Sequence, residues 1–189
     1  MGEHAMSEGQ HAPPERIRVT GLQEAQLPDL VGIEARCAQM FYEIGLSEEQ
    51  VTPRSEVDIA KLTRSHDLRI AEADQETAGY LAWADEAPGV AWMPILMIDP
   101  ERQHFGIGTQ LLRTLGDATA KHGIGYVVTP CWVRATDSIA FLTARGFKPL
   151  EGELPSKLAA WSERRAADAT RTGQRLWWAQ SDGLGAVPG

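Results

Sequence analysis

A short loop with two glycines carries the residues whose spacing points most clearly to chemistry. It is Gln103-His104-Phe105-Gly106-Ile107-Gly108, and an amphipathic helix is predicted to begin near Ile107. Glycine has no Cβ, so a ligand can approach the main chain closely and positive φ angles are tolerated. The first N–H groups of a helix have no partner inside it and lie at the positive end of its dipole. The loop therefore predicts an anion site suited to a phosphate.

The two glycines alone do not identify the ligand, because most Gly-x-Gly pairs are simply turns. Dinucleotide binding of the Rossmann type requires a third glycine three positions after the second, and an acidic residue about twenty positions further. Leu111 occupies the position of that third glycine. The Rossmann interpretation therefore fails.

The loop is predicted to join a buried strand to a helix. The strand is Trp92–Ile98, a nearly continuous apolar run that only a sheet covered on both faces can bury. Asp99-Pro100 ends the strand, because proline has no N–H to donate to a neighbour. The helix extends to Lys121, and its apolar residues follow helical spacing at Ile107, Leu111, Leu112, Leu115 and Ala118. This order of elements is more specific than the glycines alone.

The arrangement resembles the GNAT superfamily of acyl-CoA N-acyltransferases, whose signature Arg/Gln-x-x-Gly-x-Gly/Ala binds the pyrophosphate of coenzyme A. A second block, Ser138–Phe147, is similar to the family's short helix ending in Gly-Phe before a strand. The resemblance covers residues 17–150 and is strongest over 95–150. It implies an α/β (α+β) fold, with a mixed, mostly antiparallel sheet of six to seven strands, flanking helices and a splayed central strand.

The resemblance also implies acetyl-CoA, or a close acyl-CoA, as co-substrate. The strand main chain at its carboxyl end is expected to hold the pantetheine, and main-chain N–H groups of the loop are expected to hold the phosphates. Gln103 is expected to shape the loop, and Ser138 lies where a related subgroup frequently has Asn. The predicted cofactor-binding residues are Leu96, Met97, Ile98, Gln103, His104, Phe105, Gly106, Ile107, Gly108, Thr109 and Ser138.

The polar catalysts common in the family are missing from this sequence. The family commonly places a Glu on the central strand and a Tyr in the second block. Here the strand Trp92–Ile98 has no carboxylate, and Leu142 occupies the expected Tyr position. Asp85 and Glu86, at a hairpin end, are weak candidates for a general base, with ordinary turn residues as the alternative. The sequence therefore predicts acyl transfer chiefly by proximity.

Three further residues are candidates for catalysis. Glu43 on the first helix and His104 beside the glycines remain alternatives for the base, although the position of His104 indicates the pyrophosphate site. No acid or His near Cys131 in sequence supports a nucleophile, so Cys131 is interpreted as a small buried hydrophobe.

The acceptor site and the central strand leave alternatives open. Pro94 cannot donate to a ladder, so it predicts either an edge position or the bulge at which the resembling family splays this strand. The acceptor wall is expected to include the first two helices, which makes Phe41, Tyr42 and Glu43 candidate contacts. Three tryptophans are interpreted either as an aromatic acceptor pocket or as core: Trp83, Trp92 and Trp132.

Length and composition fit a single soluble globular domain. The chain has 189 residues, of which 43% are hydrophobic and 23% charged. The predicted organisation is a disordered tail over 1–14, one N-acetyltransferase domain over 15–180 and a loose tail over 181–189. The net charge of −8 argues against nucleic acid or an anionic membrane as a partner.

The cysteine count bears on the compartment. Only Cys37 and Cys131 occur, so free thiols and a reducing cytoplasm are expected. No apolar run reaches transmembrane length, and no His/Cys/Asp cluster has the spacing of metal ligands, so neither a membrane span nor a metal is expected.

The remaining elements are predicted from periodicity and turn residues. Strands are expected at Ile17–Thr20, Leu68–Ala73, Ala78–Ala84, Tyr126–Thr129, Phe147 and Gln174–Gln180. Helices are expected from Pro28 to Gly45, after Ser55, at Ser138–Arg145 and over 154–168, with a loop at Pro130–Thr136.

The sequence as a whole predicts an N-acetyltransferase that moves an acetyl group from acetyl-CoA to a primary amine of a small molecule. The alternative is a catalytically idle domain that binds or senses acyl-CoA. A homodimer through the C-terminal helix and the strand at Trp177-Trp178 stays open.

Overall fold

A single mixed sheet organises the part of the chain that the computed structural model describes, which is residues 13–162, 165 and 173–184. Seven strands over these residues follow the order β1-β2-β3-β4-β5-β7-β6. They are β1 Ile17–Gly21, β2 Asp67–Ala73, β3 Glu76–Ala87, β4 Val90–Ile98, β5 Tyr126–Trp132, β6 Lys148–Pro149 and β7 Gln174–Gln180. The β4–β5 pair is parallel and every other pair is antiparallel. The predicted fold class is confirmed.

Helices cover both faces of the sheet. They are α1 Leu27–Glu43, α2 Glu56–Leu62, α3 Ile107–Lys121 and α4 Thr136–Ala144, with a further helical segment at 156–162. On one face, Leu111 and Leu115 of α3 pack with Leu81 and Met93 of the sheet. On the other face, α1 and α2 pack on alternate strand residues that include Tyr80 and Ile95. Burial on both sides explains the apolar run of β4.

The local sequence accounts for the element ends. Ser55 caps α2, and its hydroxyl and the Asp58 carboxylate satisfy each other's main-chain N–H groups. The β2–β3 hairpin turns at Asp74-Gln75, which both have positive φ angles, 53° and 74°. Such a two-residue turn matches the twist of paired strands. None of the helices in the described ranges is long and apolar enough to span a membrane.

β4 and β5 separate part of the way along their length. Their register covers only Val90–Trp92 against Tyr126–Val128. On the other side of β4, Trp92 pairs with Ala84 and Ile95 pairs with Ala82, so Met93-Pro94 lie opposite the single residue Trp83. Two residues opposite one define a β-bulge. Pro94 therefore lies in a bulge of a central strand, and the edge alternative is wrong.

The predicted loop at Pro130–Thr136 is wrong in its first half. β5 continues through Trp132, because its pairing with β7 runs from Tyr126↔Gln180 to Trp132↔Gln174. Pro130 does not end β5, because beyond Val128 no β4 residue pairs with this strand. The missing N–H at Pro130 therefore removes no β4–β5 hydrogen bond.

The predicted chain ends lie largely outside the described residues. This holds for 1–12 of the predicted N-terminal tail and for 185–189 of the C-terminal one. Ser181 and Leu184, which begin the predicted loose tail, are packed: the Ser181 hydroxyl donates to the Ile124 carbonyl (2.6 Å), and Leu184 lies over Gly116 of α3. Of the helix predicted over 154–168, residues 156–162 are helical.

Both cysteines are buried free thiols. Burial raises the pKa of Cys37 to about 12, and the carboxylates of Glu34 and Asp99 act in the same direction. Burial also raises the pKa of Cys131 to about 11. Both groups are therefore protonated at neutral pH, which supports the interpretation of Cys131 as a small hydrophobe rather than a nucleophile.

We expect these thiols to react slowly in the native protein. Because a raised pKa lowers the thiolate fraction, alkylation by iodoacetamide at pH 7.5 should be at least about a hundredfold slower than for a free cysteine. Mass spectrometry of the quenched reaction measures the rate, and the same protein in urea should take up two labels quickly. Rapid single labelling of the native chain at Cys131 would contradict the buried, protonated state.

Candidate functional site

The separation of β4 from β5 opens a cleft of about 630 Å³. Its floor is formed by 93–98 of β4 and 129–132 of β5. One wall consists of α1 and the segment 50–54, and the other consists of the loop 102–106, the start of α3 and α4. The cleft thus lies where the main-chain groups of β4 and β5 do not form hydrogen bonds with each other.

The glycine loop opens into this cleft with a left-handed backbone. His104 and Gly106 have φ angles of 67° and 82°. A Cβ at Gly106 would meet no atom within 4 Å, so the loop surface there is open. The first helical bond that Gly106 accepts comes from Gln110, at 3.0 Å. The N–H groups of residues 107–109 therefore precede the helical ladder and form the positive start of α3.

The second glycine packs between two helices. Gly108 is buried, and a Cβ there would lie 3.0 Å from Cζ of Phe141. Its small size lets α3 and α4 approach each other closely. Neither Gly108 nor Phe105 lines the cleft. The other predicted cofactor residues do: Leu96, Met97, Ile98, Gln103, His104, Gly106, Ile107, Thr109 and Ser138.

Gln103 connects the loop to the end of β4. Its side-chain amide lies 3.4 Å from the Ile98 carbonyl and 3.7 Å from the sulfur of Met40 on α1. The Cys37 thiol also lies 3.4 Å from the Ile98 carbonyl. The end of β4 is thereby attached both to the loop and to α1.

Arg145, which sequence reasoning did not select, lies beside the anion loop. Its guanidinium donates to the Thr109 hydroxyl through Nη2 (2.7 Å) and Nε (3.2 Å), and it stacks 5.3 Å from the ring centre of Phe141. A cation next to the N–H groups of α3 strengthens the positive potential there. The sequence feature that could have indicated Arg145 is its position near the end of the Ser138–Phe147 block.

The weak candidates for a general base lie away from the cleft. Asp85 is largely exposed and faces His122, with Oδ2 3.6 Å from Nδ1. Glu86 pairs with Arg165 at 2.6 Å. Neither lines the cleft, and Glu43 does not line it either, whereas His104 does. The structure thus separates Asp85 and Glu86 from the predicted cofactor residues.

Glu34 is the carboxylate that the sequence did not reveal. It lies on α1, lines the cleft and is 2% exposed. Its Oε1 accepts hydrogen bonds from the Tyr80 hydroxyl and from Nη1 of Arg54 (2.9 Å), and its Oε2 accepts from the Arg54 main-chain N–H (3.2 Å). These partners are 20 and 46 residues away in sequence. No local pattern could therefore indicate the cluster.

The predicted acceptor residues are only partly brought together. Phe41 and Trp132 line the cleft. Tyr42 instead donates its hydroxyl to the Val51 carbonyl at 2.8 Å. Trp83 belongs to the core, and Trp92 packs 5.9 Å from Trp161, so neither contributes to an aromatic pocket.

The residue at the expected Tyr position offers no proton. Leu142 lines the cleft and is 5% exposed.

Within the described ranges, no three His, Cys, Asp or Glu side chains are grouped closely enough to hold a metal ion.

Comparison with known proteins gives a family match over part of the chain. A sequence model described as the acetyltransferase (GNAT) domain matches residues 64–149, a range that contains β2 to β5, the anion loop, α3 and α4. No curated protein shows significant similarity in sequence.

Solved structures share the fold at low sequence identity. The PaiA N-acetyltransferase from Thermoplasma acidophilum, solved in complex with coenzyme A, superposes with a TM-score of 0.69 at 17% identity. The match covers 87% of this chain and 99% of that chain. The ribosomal-protein-S18-alanine N-acetyltransferase from Escherichia coli gives 0.61 at 17%, over 87% and 94% of the two chains.

N-acetylglutamate synthase from Neisseria gonorrhoeae, complexed with coenzyme A and N-acetyl-glutamate, gives a TM-score of 0.64 at 18% identity. That match covers 87% of this chain and 35% of that one. Residues 64–149 therefore match the model of the acetyltransferase (GNAT) domain, and the chain shares its fold with N-acetyltransferases of known structure.

Proposed function

We propose that the chain is an N-acetyltransferase that transfers an acetyl group from acetyl-CoA to a primary amine of a small molecule. One observation carries this proposal: the N-terminal start of α3 and the part of β4 that does not pair with β5 open into the same cleft. A phosphate site and a strand edge in one cleft fit a ligand with a pyrophosphate at one end and an amide-containing arm at the other.

The proposed cofactor contacts follow from the chemistry of these groups. The pyrophosphate would accept hydrogen bonds from the N–H groups at 107–109, with the Arg145 guanidinium nearby. The pantetheine amides would take the hydrogen bonds that β4 does not make with β5 over Leu96–Ile98. The coenzyme A bound in the Thermoplasma and Neisseria structures supports this assignment.

The proposed mechanism relies mainly on proximity. An amine that arrives neutral attacks the thioester carbonyl; the new C–N bond forms, the C–S bond breaks, and the amine proton balances the thiolate that leaves. The cleft is lined by the apolar side chains of Met93 and Leu96 on β4 and Leu142 on α4, which exclude water but move no proton. Correct placement alone can be worth roughly 7–11 kcal/mol.

The proposal extends to compartment and partners. The two free, buried cysteines support a reducing compartment, and we propose a cytoplasmic location. The formal charge of −8 supports a small-molecule acceptor rather than nucleic acid or an anionic membrane.

An acyl-CoA-binding domain without turnover is the second candidate. The observation that favours it is the apolar lining of the cleft. Leu142 lies at the position where the family commonly has a Tyr. In this alternative the cofactor contacts are the same and the acceptor side of the cleft binds no amine productively.

Gly106→Glu should abolish or strongly weaken the binding of coenzyme A, because it places a carboxylate where the pyrophosphate would lie. Isothermal titration calorimetry measures the affinity. Gly123→Glu is the matched control, because Gly123 at the other end of α3 also has a positive φ (67°) and open space around its missing Cβ. The control should bind normally, and unchanged affinity in folded Gly106→Glu would exclude this loop as the phosphate site.

The rate of acetyl transfer should rise with pH toward the acceptor's own pKa, because only the neutral amine is nucleophilic. A thiol-release assay with acetyl-CoA against polyamines, amino acids, aminoglycosides and peptide N-termini measures it. Asp85→Asn and Glu86→Gln should leave the profile unchanged, since both residues lie outside the cleft. Loss of activity in either variant would indicate a relocated general base. Tight cofactor binding without turnover across the panel would favour the binding domain.

A further inference from the structure

We infer that the acceptor carries a carboxylate as well as its amine, and that Arg54 binds this carboxylate. The inference rests on the proposed function, since it names the substrate class for the same cleft. It points to a free amino acid with an apolar side chain as the acceptor.

The α1 side of the cleft has one pair of charges. From α1 and the segment after it, the described lining residues with charge are Glu34 and Arg54. The others on this side are apolar or neutral: Cys37, Met40, Phe41, Ile44, Gln50, Val51 and Thr52. An acceptor in this half of the cleft therefore finds its specific electrostatic contact at Glu34 or at Arg54.

Glu34 is already engaged by protein groups. Its two oxygens accept hydrogen bonds from the Tyr80 hydroxyl, the Arg54 side chain and the Arg54 main-chain N–H. It is 2% exposed, and the guanidinium beside it compensates its charge. A substrate ammonium approaching Glu34 would have to displace Arg54. Glu34 therefore holds Arg54 in place rather than binding a cationic acceptor.

Tyr80 also holds the Glu34 carboxylate in place. It is fully buried on β3, and burial together with the Glu34 carboxylate raises the pKa of its hydroxyl. The phenol is therefore protonated at neutral pH and donates to Glu34. A carboxylate held by a buried phenol and by an arginine has a fixed orientation, so the guanidinium attached to it is fixed as well.

The Arg54 side chain is bound to Glu34 and is also partly accessible to solvent. Its side chain is 33% exposed at the cleft. A guanidinium has five N–H donors in a planar fork. Arg54 Nη1 donates to Glu34 Oε1, and the Tyr80 hydroxyl also interacts with Arg54. Two such acceptors cannot engage all five donors. The remaining fork geometry matches a carboxylate, which arginine binds through two parallel hydrogen bonds.

The surrounding walls specify the rest of the acceptor. Met40 and Phe41 of α1 and Trp132 of β5 line the same cleft. They offer apolar surface to a side chain, while the amine must reach the thioester carbonyl over the strand separation. A carboxylate, an amine and an apolar side chain on one small molecule describe an apolar amino acid.

Binding to the protein saturated with unacylated coenzyme A tests the inference without requiring turnover. Calorimetry would compare L-leucine, L-methionine and L-phenylalanine with their carboxamides, which keep the amine and side chain but lose the charge. We expect the acids to bind about tenfold to a hundredfold more tightly than the amides, as for hydrogen bonds to a charged group. Equal binding of acid and amide, or no binding of any of the acids, would overturn the inference.

Two variants connect the selectivity to Arg54. Arg54→Gln should remove the preference for acids while leaving the affinity for coenzyme A unchanged. Arg54→Lys keeps a positive charge beside Glu34, so the fold is retained even if Arg54→Gln leaves Glu34 unpaired and unstable; it should lose most of the preference because it lacks the planar fork. Arg18→Gln, on the exposed surface of β1, is the control. Acid preference that survives in Arg54→Lys at full strength would contradict the two-bond geometry.

The same measurements separate this inference from the proposed function. Acid-selective binding in a protein that shows no thiol release would retain the Arg54 site and reject acetyl transfer. Acetyl transfer to amides and simple amines as efficient as to acids would retain the enzyme and reject the role of Arg54.

Discussion

The separation of β4 from β5 is the constraint on which the rest of the site depends. Three residues of each strand pair, and then the extra residue at Met93-Pro94 turns β4 away. A proline in this position cannot donate a ladder hydrogen bond, so the bulge does not have to compete with regular pairing. Pro130 on β5 lies beyond Val128, the last residue of its strand that pairs with β4. The cleft is thus encoded in main-chain chemistry on both of its sides.

Local sequence features were sufficient to predict the local structure of the glycine loop and of the elements on either side of it. These features lie close together in the sequence: the strand, Asp99-Pro100, Gly106 and the start of α3. The conformation of each follows from the residue types within it. The packing of Gly108 against α4 could not be predicted, because its neighbour Phe141 is 33 positions away in the sequence. The extent of β5 was underestimated because a proline ends a strand only where its N–H would have been needed.

The cluster of Glu34, Arg54 and Tyr80 could not be predicted, because its members are far apart in the sequence. Glu34, Arg54 and Tyr80 come from a helix, a connecting segment and a central strand, and only the folded sheet brings them together. In the sequence, Glu34 looks like a solvated residue on an amphipathic helix, because its burial depends on partners that periodicity does not reveal. The hairpin-end carboxylates Asp85 and Glu86 were selected instead because the turn was recognisable. Recognisable local structure and functional position are therefore different properties of this sequence.

The short β4–β5 ladder also has a thermodynamic consequence. The sheet consists of a four-stranded part, β1 to β4, and a three-stranded part, β5, β7 and β6, which share three register pairs. A molecule lying in the cleft contacts both parts and supplies hydrogen bonds that the strands do not exchange. Its binding free energy then adds to the cohesion between the two parts of the sheet. A ligand bound in this cleft would act as a component of the tertiary structure, and the chain's resistance to unfolding would rise with ligand concentration.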